Sequence, residues 1–282
     1  MSDDAVPRGS EWITVSVTPG SQPEAVLAAL FDAGAMGVQE IGGAFVTHVQ
    51  TQPEADALLC AAVAASPDAR VETKPLPNID WSEEWKRAIH AQTLGILTVA
   101  PPWLAEGLDP ATTIVIDPGM AFGTGDHATT RGVVRLLHGV IRSGDRVADL
   151  GAGSAVLAIA AAKLGAAHVT AIELDHDAIG NAEENVERNG LAGKVVVIEG
   201  DAATLLPLVA PVRVITANII SSVLLELLPA MAKALTDDGR AILSGILASE
   251  RDDMLRALAE SGWRVEAEDH EDAWWSATIA RQ

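Results

Sequence analysis

The chain has a single cysteine, Cys60, among 282 residues. With no second thiol it forms no intramolecular disulfide, which points away from redox chemistry. Cys60 falls within the helical apolar pattern PEADALLCAAVAAS and is expected to be a buried structural thiol. Basic side chains are scarce: 19 Lys and Arg stand against 39 Asp and Glu, for a net charge of -20. That balance argues against a nucleic-acid ligand held through its phosphates and would suit a basic partner. No apolar stretch is long enough to span a bilayer, and the acidic start of the chain lacks the basic flank and apolar core of a signal peptide. No membrane role is expected, and the cytoplasm is the expected location. A nucleophilic triad is disfavoured by the lack of a G-x-S-x-G serine elbow, and a metal site by the lack of paired His, Cys or acid spacing.

What is present divides the chain. Residues 1–10, with VPRGS resembling a protease-cleavage remnant, are set aside. Residues 11–77 read as strand, helix, hairpin, helix, strand: EWITVSVTP alternates, PEAVLAALFDAG opens on Pro and closes on Gly, GVQEIGG and AFVTHVQT pair, and ARVETKPLP ends the unit. The order βαββαβ predicts a small ferredoxin-like α+β domain. Residues 78–92, with Trp81 and Trp85 four apart, predict a linker helix. From 93 to 282 strands alternate with helices, which demands a largely parallel α/β sheet with helices on both faces. The final runs, WRVEAEDHE and WWSATIARQ, have no helix between them and predict an antiparallel hairpin.

The chemistry concentrates at strand ends. In VADLGAGSAVLAIAAAKLG a strand ends at Asp149, then Gly151 and Gly153 precede an apolar helix. Glycines there admit a ligand close to the backbone, and a helix N-terminus favours anionic groups. Glu173 closes the next strand, where a carboxylate can accept both ribose hydroxyls of either NAD or S-adenosylmethionine. Asp149 beside the glycines would repel a pyrophosphate but suits a cationic ligand. Val156 replaces the small residue a dinucleotide fingerprint needs. With the terminal hairpin, these features favour S-adenosylmethionine as the cofactor. Asp201 follows the third strand, where it would meet an adenine amino group or simply form a surface turn. Asn218 ends the fourth strand, where its amide can orient an amine without keeping its proton. The long connection IDPGMAFGTGDHATTR has Gly119, Gly123 and Gly125 for a close fold over the cofactor, Phe122 to shield the site, and Thr129 or Thr130 to cap the helix VVRLLHGVI. His127 is expected to set the loop's shape by bonding backbone, with a general-base role beside Asp126 as the alternative.

DPGMAFGTGDHATT, DLGAGS with its downstream acid, TANII and the small N-terminal domain together resemble the ribosomal large-subunit protein eleven methyltransferases, over nearly the whole chain. The resemblance implies a seven-stranded Rossmann-like methyltransferase core. It implies S-adenosylmethionine contacts at Thr130, Gly151, Glu173 and Asn218, and a ferredoxin-like domain that docks a basic ribosomal large-subunit protein. It also implies methylation of lysine side chains and of the N-terminal amine, by an enzyme expected to be a monomer. The chain departs from the family's usual pattern at Ala155, where Gly is usual, and at Glu173, where Asp is usual.

Overall fold

The computed structural model describes residues 12–75, 89–117, 123 and 125–282. The chain divides into two compact units, Met1–Lys86 and Arg87–Gln282. The predicted linker helix lies almost wholly outside the described residues.

In the first unit the strands β1 (Ile13–Thr18), β2 (Gln39–Ile41), β3 (Ala44–Val49) and β4 (Arg70–Pro75) form one sheet in the order β2-β3-β1-β4. Every pairing is antiparallel. Alternation turns Val15 and Val17 to one face. There they meet Val26 and Leu30 of α1 (Pro23–Asp32) and Ala55, Leu58 and Ala62 of α2 (Gln52–Ala65) in one core. Helix α2 begins with a full capping box: Thr51 Oγ1 accepts from Glu54 N–H, and the Glu54 carboxylate accepts from Thr51 N–H. Cys60 is exposed, contrary to expectation. Two residues on from buried Leu58, it stands about 200° around the helix from the core-facing stripe.

The second unit is built on seven strands: β8 (Arg146–Leu150), β9 (His168–Glu173), β10 (Val195–Glu199), β11 (Val212–Asn218), β12 (Leu235–Leu247), β13 (Trp263–Glu271) and β14 (Trp274–Arg281). Their order is β10-β9-β8-β11-β12-β14-β13. The first five run parallel, and the terminal hairpin adds β14 and β13 antiparallel. Helices α3 (Ala128–Val140), α4 (Val156–Lys163) and α5 (His176–Arg188) pack on one face with Val147, Val169 and Val214. Helices α6 (Ala202–Val209), α7 (Ser221–Ala234) and α8 (Arg251–Glu260) cover the other with Ala148, Ile172 and Ile215. Adjacent residues of one strand thus feed two cores, which requires strands apolar on both faces. Helix α4 is buried from Val156 through Ala162, its alanines letting it nest between neighbours on every side.

Two features escape the sequence reading. A separate three-stranded sheet joins β5 (Gln92–Leu94), β6 (Leu97–Ala100) and β7 (Thr113–Val115), in strands too short for periodicity to register. Helix α6 is eight residues long and carries Pro207, so its signal is weak.

At the amino edge of the sheet, Asp145 accepts from Arg213 Nε at 2.6 Å and from the Arg142 N–H at 2.7 Å, with both charged side chains largely buried. Removing one partner strands the other charge, so Arg213→Ala is expected to lower unfolding free energy by about 3 kcal/mol in urea titration. A loss under about 1 kcal/mol would show the pair to be no stronger than a surface one.

Candidate functional site

The strand order reverses beside β8: the chain proceeds from β8 outward to β9 and β10, then returns to place β11 on the other side. Crossovers leaving in opposite directions open a crevice at the carboxyl ends of β8 and β11. Into it project the glycine turn after β8 and Asn218 at the end of β11.

The turn is set by three left-handed residues, Gly151, Gly153 and Ala155. A Cβ at Gly151 would come within 2.6 Å of Ile219 Cγ2, so the turn approaches the β11 loop as only glycine allows. Ala155 holds φ 65° without that freedom, at a cost of about 1–2 kcal/mol, and is fully buried. Gly151 and Ala152 donate to the Ile172 carbonyl at 2.9 and 3.1 Å, tying the turn to β9. The Glu173 carboxylate accepts from Gly153 N–H at 2.7 Å through Oε2 and from Asp175 N–H at 2.9 Å through Oε1. Each oxygen keeps a further lone pair, enough for two hydroxyls.

Asp149 is fully enclosed. Its neighbour in register on β11, Thr216, donates to Oδ1 at 2.6 Å, and the Ala158 N–H of α4 donates to Oδ2 at 3.1 Å. Its pKa is raised to about 7: burial pushes it up, outweighing the two hydrogen bonds that pull it down, and nearby Glu173 adds to the rise.

A cavity of about 190 Å³ lies over the strand ends, lined by Gly151, Glu173, Leu174, Asp201, Ile219 and Val223 among others. This is smaller than the roughly 300–1,000 Å³ that takes a whole drug-sized ligand, so it suits one part of a larger molecule. Its lining combines apolar Ile172, Leu174, Ile219 and Val223 with the carboxylates of Glu173 and Asp201, a chemistry that suits a heterocycle carrying a sugar. Asp201 both lines the cavity and caps α6: its Oδ1 accepts from Thr204 N–H and Oγ1, each at 2.9 Å. Among the described residues Thr130 Oγ1 is buried with no hydrogen-bond partner, as is Thr278 Oγ1. Among the described residues the Asn218 side chain makes no hydrogen bond, so the fold leaves its amide available.

The family model described as "Ribosomal protein L11 methyltransferase (PrmA)" matches residues 43–282. The chain belongs to that family. It is 38% identical over 227 residues to the ribosomal protein L11 methyltransferase of Pelotomaculum thermopropionicum, covering 80% of this chain and 73% of that protein. Against the namesake from Symbiobacterium thermophilum it is 35% identical over 288 residues, covering 98% and 83%. A crystal structure of ribosomal protein L11 methylase from Lactobacillus delbrueckii subsp. bulgaricus superposes with a TM-score of 0.61 at 32% identity, over 69% of this chain and 100% of that one. Family membership and the seven-stranded Rossmann-like core agree with the sequence reading.

The crevice brings Gly151, Glu173 and Asp201 to one cavity, with Asn218 one residue from its wall. Gly153 is drawn in through its bond to Glu173. Asp149 lies beneath, sealed from the cavity, and Thr130 stands apart on α3; Phe122 is outside the described residues. Helix α3 is capped by neither threonine. It starts at Ala128, and the His127 ring takes the cap, its Nδ1 accepting from Thr129 N–H at 3.4 Å and lying 2.7 Å from Thr129 Oγ1. The His127 ring also meets Trp274 edge-on at 5.0 Å. Sequence reasoning missed Leu174, Ile219 and Val223; the available signal was an apolar residue, Leu174, directly after the acid that closes its strand.

Burial raises the folded-state pKa of Asp149 above 3.8, so the native protein keeps a proton that the unfolded chain releases. This stabilising contribution is full below pH about 4 and is lost as pH rises through about 7. Denaturation of wild type and Asp149→Asn between pH 4 and 8 should show the wild type losing on the order of 2–4 kcal/mol relative to the variant as pH rises. A pH-independent difference would show that Asp149 is ionised throughout.

Proposed function

We propose that this protein transfers a methyl group from S-adenosylmethionine to amino groups of ribosomal protein L11, on lysine side chains and on the N-terminal amine. The observation that carries the reading is the apolar cavity bounded by Glu173 and Asp201 at the sheet's reversal point, beside the uncommitted amide of Asn218. Glu173 would hold the ribose hydroxyls through its spare lone pairs, and Asp201 the adenine amino group. Leu174, Ile219 and Val223 would enclose the ring. The glycine turn lets the backbone approach the cofactor's amino-acid end, and the Thr130 hydroxyl would gain its missing partner there. Asp149, under the turn, holds β8 to β11 through Thr216 and to the α4 N-terminus through Ala158, which supports the turn from below. The cofactor contributes an electrophilic methyl on a positively charged sulfur.

The remaining demand is a neutral amine in line with that methyl. A lysine ammonium with a pKa near 10.4 has no lone pair, so the site must release its proton to water, helped by desolvation. Asn218 would then orient the nitrogen through its carbonyl without retaining the proton. Holding nucleophile and electrophile in attack geometry contributes roughly 7–11 kcal/mol, which makes a strong general base unnecessary. The His127 ring is engaged with Thr129 and Trp274, consistent with shaping the loop.

We assign substrate docking to the first unit, where Trp12, Met36, His48 and Leu58 line a cavity of about 420 Å³ and Met36 is almost wholly exposed. The net charge of -20 suits a basic protein substrate. Incubation with methyl-labelled S-adenosylmethionine and a ribosomal extract should label one basic band corresponding to L11. Label on another protein or a small amine would redirect the substrate, and retained binding without label would mark a non-catalytic binding module. Asn218→Ala is expected to lower the transfer rate roughly 100-fold while calorimetry finds cofactor affinity little changed. Equal loss of both would make Asn218 a cofactor ligand only.

A further inference from the structure

Helix α5 carries Asn181 and Asn185, and Asn189 follows its end, so the three amides stand four apart on one face. Asparagine is a poor helix former in the middle of a helix, and these side chains are spent on bonds to other segments. Asn189 serves the edge of β7 as a strand would, with Oδ1 accepting from Val115 N–H at 2.9 Å and Nδ2 donating to the Val115 carbonyl at 2.7 Å. Asn181 Nδ2 donates to the Asp117 carbonyl at 3.3 Å.

Asn185 differs from its neighbours. It is fully buried and uses its whole hydrogen-bonding capacity. Oδ1 accepts from Asp117 N–H at 2.9 Å and from the Arg188 guanidinium at 2.8 Å. Nδ2 donates to the Ser154 carbonyl at 3.2 Å and to Asn181 Oδ1 at 3.3 Å. Ser154 in turn donates through Oγ to the Gly123 carbonyl at 2.6 Å. A Cβ at Gly123 would sit 2.7 Å from that same Oγ. One amide therefore ties three things together: Asp117, where the chain leaves β7; the glycine turn after β8; and, through Ser154, Gly123.

We propose that Asn185 is a positioning residue of the S-adenosylmethionine site, fixing the glycine turn and Asp117 in one frame through a single buried amide. The inference rests on the reading of the cavity as the cofactor site. The hydrogen-bond partners of Asn185 are Asp117, Arg188, Ser154 and Asn181, none of which lines the cavity, and it acts through Ser154. Its amide orientation is forced, because two N–H donors meet Oδ1 and a carbonyl meets Nδ2. Asn189 makes bonds of the same kind one turn further along without reaching the glycine turn, and so serves as the internal control.

The test compares Asn185→Ala and Asn189→Ala by thermal melting and by calorimetric titration with S-adenosylmethionine, below both melting temperatures. Both variants should lose thermal stability. Asn185→Ala should raise the dissociation constant roughly 10- to 100-fold, while Asn189→Ala binds as wild type does. If Asn185→Ala does not fold, Asn185→Ser, which keeps a hydroxyl donor, should show the same split. Wild-type affinity in the folded Asn185 variant, or affinity losses in both variants that track their melting temperatures, would overturn the proposal by reducing Asn185 to a stabilising residue. Failure of the wild-type protein itself to bind would instead sink the reading of the cavity, and this inference with it.

Discussion

The structure depends on one topological constraint: two neighbouring parallel strands, β8 and β11, whose following connections depart in opposite directions. No helix can cover the carboxyl ends of both, so a crevice remains there whatever the side chains are. What the sequence adds is a floor and walls. The floor is the Asp149–Thr216 hydrogen bond joining the two strands just below the opening, with the α4 N-terminus fastened to the same carboxylate through Ala158. The walls come from three successive strand ends, through Gly151, Glu173 and Asp201.

The glycine turn accounts for much of the local cost. Two of its three left-handed positions are glycines, and the third, Ala155, is held there by the packing of α4 around it. Fully buried, Ala155 bears its left-handed conformation as backbone strain. Both carboxylate oxygens of Glu173 are fixed by backbone N–H groups, those of Gly153 and Asp175. Arg131 and Arg135 of α3 pair with Glu271 and Asp269 of β13, which ties the loop's helix to the terminal hairpin.

Much of this was legible in the chain. Strand-helix alternation, the two glycines after Asp149, the acid closing β9 and the helix-free terminal hairpin are local signals, and local signals survive in a sequence. What stayed hidden depends on partners far away. The enclosure of Asp149 needs Thr216, 67 residues on, and the exposure of Cys60 depends on which stripe of α2 meets the sheet. Hydroxyls are the usual caps, so the sequence points to a threonine for α3, whereas the ring of His127, edge-on to Trp274, takes the role. The asparagine stripe of α5 carries no local signal of its role, because its partners on β7 lie 74 residues earlier in the chain.

The account's central claim is that the crevice between β8 and β11 receives the adenosine part of S-adenosylmethionine through Glu173. The most direct test is calorimetric titration of wild type and Glu173→Ala with S-adenosylmethionine and, in parallel, with NAD. One-to-one binding of S-adenosylmethionine by the wild type, lost or sharply weakened in the variant and with no NAD binding, is the expected result. Binding of NAD alone, or S-adenosylmethionine bound equally well by both proteins, would contradict it.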